Sequence, residues 1–144
     1  ETKGVLHNLF IQLKLENQKI AFHHLDLSEE HYLSEKWDDS ISNSRKYLEC
    51  VLQEVSNMNN ILIYNEPLNE NIKSYPVKVR QYLEDEKLLE VKEKKALSKI
   101  YGLLSHTGGH PYMAENDQAR LLRHLSLTFS HFVMLRLNSK INGV

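Results

Sequence analysis

The stretch YGLLSHTGGHP at residues 101–111 divides the C-terminal half of the chain into two helical segments. It contains three of the five glycines and one of the three prolines. Paired glycines carry a high entropy cost in a helix, and Pro111 lacks an N–H and biases His110 away from the helical region. A helix arriving from Lys92 is therefore expected to end near His106, in an irregular loop where the chain reverses.

The segments around this stretch show the three- and four-residue apolar spacing of amphipathic helices. Residues 61–76 are predicted to form a connection, in which the apolar run at 61–64 is a buried loop or a helix end. The predicted helices cover residues 5–24, 30–58, 77–86, 90–105 and 116–138. The pattern predicts an all-α fold, a four- to five-helix up-and-down bundle with short connections.

Several helix boundaries are predicted from cap and breaker residues. Ser28 followed by two glutamates is typical of an N-cap with acids in the first turn. Three asparagines between residues 57 and 60 are poor helix formers and predict the end of the second helix. Pro76 suits the first turn of the short third helix, and Glu115 or Asn116 is expected to cap the last one.

Length and composition are those of one compact domain. The chain has 144 residues, of which 41% are hydrophobic and 26% are charged. We expect residues 1–30 to form an N-terminal helical segment and residues 31–144 to form the bundle. Because the sequence starts at Glu1 rather than Met, we expect a piece of a longer protein, with residues 1–30 as a linker and a protein partner bound through the missing N-terminal region.

Charge and cysteine content exclude several classes of protein. The formal net charge of −1 gives no global basic field, so a nucleic-acid surface would have to be a local patch. Cys50 is the single cysteine, which excludes an internal disulfide and, with its apolar neighbours, predicts a buried thiol in a reducing compartment. Neither a transmembrane segment nor a signal peptide is predicted. We therefore expect a cytoplasmic protein that has no membrane partner.

The segment WDDSISNSRKYLE at residues 37–49 resembles the second-helix pattern of the HEPN superfamily, including its abortive-infection C-terminal domains. In that fold a later helix ends in a small-residue loop with a histidine and leads into a final helix. Residues 101–111, followed by DQAR at 117–120, occupy the corresponding place. The similarity covers roughly residues 35–140. It implies a HEPN-like bundle that forms a homodimer and acts on RNA in prokaryotic defence or RNA processing.

Active HEPN proteins are metal-independent ribonucleases. Their motif is an arginine with a histidine five to seven positions later, and two copies of the motif face one another in a dimer. In this chain no arginine stands at that spacing before His106 or His110. Lys99, seven residues before His106, supplies the only cation at the family's spacing.

The candidate catalytic residues are His110, Ser105 and His106. An imidazole titrates near neutral pH, so the two histidines suit the acid and base of RNA cleavage through the 2′-hydroxyl. Such cleavage also needs a cation for the charge that develops on phosphorus. The candidate RNA- or anion-binding cations are Arg45, Lys99, Arg120 and Arg123. In the structural alternative, His110 and Ser105 cap the helix end by hydrogen-bonding its free carbonyls.

Arg45 has two interpretations. It can form an i,i+4 ion pair with Glu49, or it can point toward the loop and orient His110 or a bound phosphate. No metal or cofactor is expected, because the potential ligands at 117, 124 and 131 are two helical turns apart, about 10.5 Å.

Three functions are compatible with these observations. The first is an RNA-binding HEPN-like domain that is also a candidate metal-independent ribonuclease. The second is a non-catalytic domain for homodimerisation or protein interaction. The third is a small-ligand pocket under the loop of Gly108 and Gly109.

Overall fold

A computed structural model describes residues 2–107 and 115–143 of the chain. Within these two ranges all regular structure is α-helical, so the all-α prediction is confirmed. The described ranges contain seven helices rather than four or five, because one predicted helix is divided and a short helix lies in the predicted connection. They are α1 (Thr2–Gln12), α2 (Gln18–Leu33), α3 (Trp37–Tyr64), α4 (Glu70–Lys73), α5 (Pro76–Asp85), α6 (Val91–Thr107) and α7 (Asn116–Asn142).

The long helix α3 is the centre of the bundle. It packs against α2, α5, α6 and α7, and its apolar residues recur every three or four positions. Ile41, Leu48, Val51 and Val55 are completely buried along this face. These four helices are therefore positioned by their contact with α3, whereas α1 packs on α2 and α7.

The last helix, α7, runs parallel to α3. Tyr47 contacts Ser130, and about three turns further along both helices Asn59 contacts Lys140. A capping box at Glu115 starts α7, as predicted, and Gly143 ends it in the left-handed conformation. The helix reaches Asn142, one turn beyond its predicted end.

The predicted end of the second helix is wrong, because α3 continues to Tyr64. The asparagines that suggested an end are buried and bonded to other segments. Asn57 accepts a hydrogen bond from the Leu68 N–H at 2.9 Å, and Asn60 donates to the Glu66 carbonyl at 2.9 Å. Side chains engaged in this way do not compete for the backbone bonds of their own helix.

The apolar run at 61–64 is the last turn of α3, so it is a helix end and not a loop. Its side chains are not buried as predicted. Leu62, Ile63 and Tyr64 are each about half exposed, at 52%, 50% and 53%. Together with Ile141 near the end of α7, Leu62 and Ile63 line an open apolar groove.

The predicted helix at 5–24 is two helices. The chain takes left-handed conformations at Lys14 (φ 58°) and at Asn17 (φ 61°), which separates α1 from α2. The Asn17 amide then donates to Glu54 of α3 at 2.8 Å, so a tertiary contact holds the turn.

The predicted N-cap at Ser28 is also wrong. Ser28 lies inside α2, where it is buried and donates to the Leu25 carbonyl at 2.7 Å. The next helix begins at Trp37 instead of near residue 30. The domain boundary predicted at residue 30 falls inside α2, and Leu6 and Phe10 of α1 belong to the same hydrophobic core as α3.

The next two predicted helices are present as predicted. The helix predicted at 77–86 is α5, with Pro76 in its first turn, and the helix predicted at 90–105 is α6. Among the residues that the structure describes, no helix combines the length and the apolar character needed to cross a membrane.

Candidate functional site

The predicted catalytic residues lie at the end of α6. The described part of α6 extends to Thr107, so Ser105 and His106 are helical and do not lie in an irregular loop. Ser105 is exposed. His110 falls outside the described residues.

Lys99 lies on the exposed side of α6. His106 follows it by seven residues on the same helix, so the two residues share a face but are about 10.5 Å apart along the axis.

Arg45 forms the i,i+4 ion pair with Glu49 that the sequence offered as one of its two interpretations. Its Nη1 lies 3.3 Å from Glu49 Oε1, and both side chains are about one quarter exposed. The Tyr101 hydroxyl of α6 donates to the same carboxylate oxygen. Burial and this bond to Glu49 raise the pKa of Tyr101, while Arg45 acts in the opposite direction.

Arg120 and Arg123 come together against α2 and apart from Arg45. Arg120 Nε donates to the Tyr32 hydroxyl at 3.3 Å, and Arg123 Nε donates to the Ser28 hydroxyl at 3.3 Å. These acceptors are neutral, and neither arginine has a carboxylate within ion-pair distance in the described ranges, although the bond to Tyr32 and the charge of nearby Asp117 raise the pKa of Arg120.

Arg80 of α5 is a candidate binding residue that the sequence analysis missed. Only 6% of it is exposed. Its Nε donates to the Ser98 hydroxyl at 3.2 Å, and its guanidinium carbon lies 4.4 Å from the centre of the Tyr101 ring. Burial lowers the pKa of Arg80, and the nearby Tyr101 and Glu49 oppose that change. A signal was present in the sequence, because Arg80 adjoins the inward Val79 and precedes inward Leu83 by three positions.

A narrow cleft opens beside Arg80, between α3, α5 and α6. Glu49, Tyr101 and Arg80 form its polar side, and the first turn of α5 lies at its edge. Arg80 Nη1 and Arg45 Nε are buried and have no hydrogen-bond partner in the described structure. Glu49 pairs with Arg45, and Arg80 has no ion-pair partner in the described structure.

Charge is divided unequally along the chain. Residues 1–90 contain ten Lys and Arg against sixteen Asp and Glu, whereas residues 91–144 contain eight against three. With neutral histidines the two parts carry −6 and +5, which add to the net charge of −1. The near-neutral total therefore conceals a basic hairpin formed by α6 and α7.

Other chemistry has little support among the described residues. No group of three or more His, Cys, Asp or Glu side chains there is arranged to hold a metal ion. Cys50 is buried, as predicted, and burial raises the pKa of its thiol to about 12, so the thiolate is not formed near neutral pH.

No known protein family, curated protein or solved structure matches this chain.

Proposed function

We propose that this protein is an RNA-binding helical domain of the HEPN type and that its α6–α7 hairpin supplies the RNA-binding surface. The observation that supports this best is the excess of five positive charges in residues 91–144. A strong charge difference between two parts of a chain is typical of proteins that bind nucleic acid, because basic side chains release the counterions of the phosphate backbone.

The exposed face of α6 carries this charge in a suitable arrangement. Lys92, Lys95 and Lys99 recur at spacings of three and four, so they lie in one row on the side of α6 that faces away from the bundle. None of the three has an ion-pair partner among the described residues. Lys99 and the end of α6 lead directly to Ser105 and His106, the candidates for cleavage.

The ribonuclease activity is a further part of the proposal. An RNA strand along the lysine row would reach the C-terminal end of α6, and in this proposal His106 and His110 supply acid and base and a cation stabilises the charge on phosphorus. The chemistry needs no metal ion. Cleavage should therefore persist in EDTA and should be lost in His110→Ala without loss of RNA binding.

The test measures binding of a fluorescent single-stranded RNA by anisotropy at several salt concentrations. Replacing Lys92, Lys95 and Lys99 together by Gln removes up to three phosphate contacts. The slope of log affinity against log salt should then fall by about 2, and affinity near 0.1 M salt by about 100-fold. The matched control replaces three exposed lysines of the acidic part, Lys14, Lys19 and Lys36, by Gln.

The control variant loses the same net charge, so it should bind RNA almost as well as the wild type. Equal losses of RNA affinity in the two triple variants would show that binding depends on the net charge of the protein and not on the lysine row of α6. The proposal would then be wrong. Absence of any salt-dependent RNA binding by the wild type would also exclude it.

A second candidate function is homodimerisation or protein interaction. The observation in its favour is the apolar groove lined by Leu62, Ile63 and Ile141, whose exposed fractions are 52%, 50% and 43%. Light scattering on the same samples distinguishes the two, because a dimer that fails to bind RNA supports this second function.

A further inference from the structure

We propose that the cleft between α3, α5 and α6 is a site for a phosphate-type oxyanion, bound by Arg80 and the first turn of α5. This proposal goes beyond the binding of an RNA backbone along α6. It concerns a different group of residues and holds whether or not the lysine row binds RNA.

The first reason is the unsatisfied hydrogen-bonding capacity of Arg80. A guanidinium has five N–H donors, and a buried donor without an acceptor is costly. Nε of Arg80 has Ser98, but Nη1 has no acceptor within the described structure. The carboxylate that lines the same cleft, Glu49, accepts from both Arg45 and Tyr101 through Oε1. One acceptor, preferably anionic, is therefore missing beside Arg80.

The second reason is the start of α5, which borders the same cleft through Pro76. The N–H groups of Lys78 and Val79 both donate to the Tyr75 carbonyl, whereas the N–H of Val77 has no partner in the described ranges. The N-cap residue Tyr75 makes no side-chain cap bond, and the first turn contains no acidic residue. The positive end of this ten-residue helix is thus open to an anion.

The size of the cleft limits the ligand. It has room for about one water-sized group, so one oxygen atom can enter while the remainder of the anion stays at the mouth. Leu52 and Val79 contribute apolar lining, and Gln53 also lines the cleft. A tetrahedral oxyanion meets this geometry by inserting one oxygen between the guanidinium and the helix start. Inorganic phosphate and the terminal phosphate of a nucleotide share this chemistry.

The test titrates the protein with inorganic phosphate at constant ionic strength, set with NaCl, and follows Tm and the heat of binding. We expect saturable binding by the wild type and at least a tenfold weaker affinity in Arg80→Met. The matched control is Lys78→Met, which removes one positive charge from the same helix at an exposed position that does not line the cleft. Its affinity should stay within twofold of the wild type. Phosphate also stabilises proteins by exclusion from their surfaces, but that effect is common to all three proteins and cancels.

A measurement on the wild type alone covers the case in which Arg80→Met does not fold. In 15N-resolved NMR spectra, phosphate should shift the backbone N–H of Val77 and the Nε–H of Arg80, with smaller changes elsewhere. Absence of saturable phosphate binding, or unchanged affinity in Arg80→Met, would overturn the proposal. A water molecule would then be the acceptor for Nη1 of Arg80.

A short oligonucleotide with and without a 5′-phosphate then separates the two sources of the anion. A preference for the phosphorylated form that Arg80→Met abolishes assigns the site to a nucleotide terminus, and equal binding of both forms assigns it to free phosphate. The variant lacking the three lysines of α6 should retain phosphate binding, so failure of the RNA proposal leaves this result unchanged.

Discussion

The contact between Tyr47 and Ser130 joins α7 to α3, and replacing Ser130 by Ala tests how it stabilises the bundle. Ser130 Oγ lies 2.8 Å from the Leu127 carbonyl and 3.1 Å from the Tyr47 hydroxyl. A serine has one proton, and the carbonyl, which cannot donate, must receive it. The Tyr47 hydroxyl therefore donates to Ser130, and both groups are completely buried.

The two single variants of this pair should differ in cost. Ser130→Ala leaves the Tyr47 hydroxyl buried without a partner, which costs about 1–3 kcal/mol, and the better helix propensity of alanine returns about 0.5 kcal/mol. We expect a net loss of about 1.5 kcal/mol in the free energy of unfolding. Tyr47→Phe leaves Ser130 bonded to Leu127 and should cost about 1 kcal/mol or less.

The double variant provides the sharper test. With the phenol hydroxyl already removed, Ser130→Ala strands no group, so the double variant should be more stable than Ser130→Ala alone. Ser126→Ala is the matched control, because Ser126 is equally buried on α7 and bonds only the Leu122 carbonyl. It should change stability by less than about 0.5 kcal/mol.

Urea unfolding followed by circular dichroism at pH 7 measures all four variants. Burial raises the pKa of Tyr47 to about 12, so the phenol is neutral at this pH and no charge effect intervenes. Equal losses for Ser130→Ala and Ser126→Ala would refute the reasoning. A double variant less stable than Ser130→Ala would refute it as well.

Two further changes concern buried polar groups of α3. Burial raises the pKa of Glu54 above its ordinary value of 4.5. The folded state therefore binds the carboxyl proton of Glu54 more tightly than the unfolded chain does. The stabilisation that this proton gives is lost as the pH rises above about 4.5. Glu54→Gln should therefore flatten the pH dependence of urea unfolding and be more stable than the wild type at neutral pH; a steeper pH dependence would contradict this. Asn59→Ala removes bonds to Tyr82, Glu86 and Lys140 and should lower the free energy of unfolding by about 2 kcal/mol, whereas the exposed Asn71→Ala should change it little. Similar Tm values for these two asparagine variants would contradict that assignment.

The proposed RNA surface was visible in the sequence only in part. Lys99, Arg120 and Arg123 could be identified as candidate cations from the sequence. The sequence could not show that Arg120 and Arg123 lie together against α2, because their partners there, Tyr32 and Ser28, are about ninety residues earlier in the chain. Arg80 was missed for a similar reason. An arginine near an apolar face usually extends to water, and only the packing of α6 over α5 shows that this one is enclosed.

Features that depend on local chemistry could be predicted from the amino-acid sequence. Pro76 marked the start of α5 and Glu115 marked the start of α7, because caps and breakers act on their immediate neighbours. Apolar spacing likewise identified the face of α3 that is buried.

Helix boundaries that depend on a hydrogen bond between a polar side chain and a distant segment could be seen only in the folded structure. Helix α3 continues past Asn57 and Asn60 because these side chains bond to the segment that follows the helix. Asn57 accepts from the Leu68 N–H, and Asn60 donates to the Glu66 carbonyl. Asn17 divides the N-terminal helices with support from Glu54. Asparagine favours a helix end when its side chain bonds the local backbone, and it is tolerated within a helix when another segment takes that bond. Propensity cannot show which of the two occurs, because the competing partner is supplied by the fold.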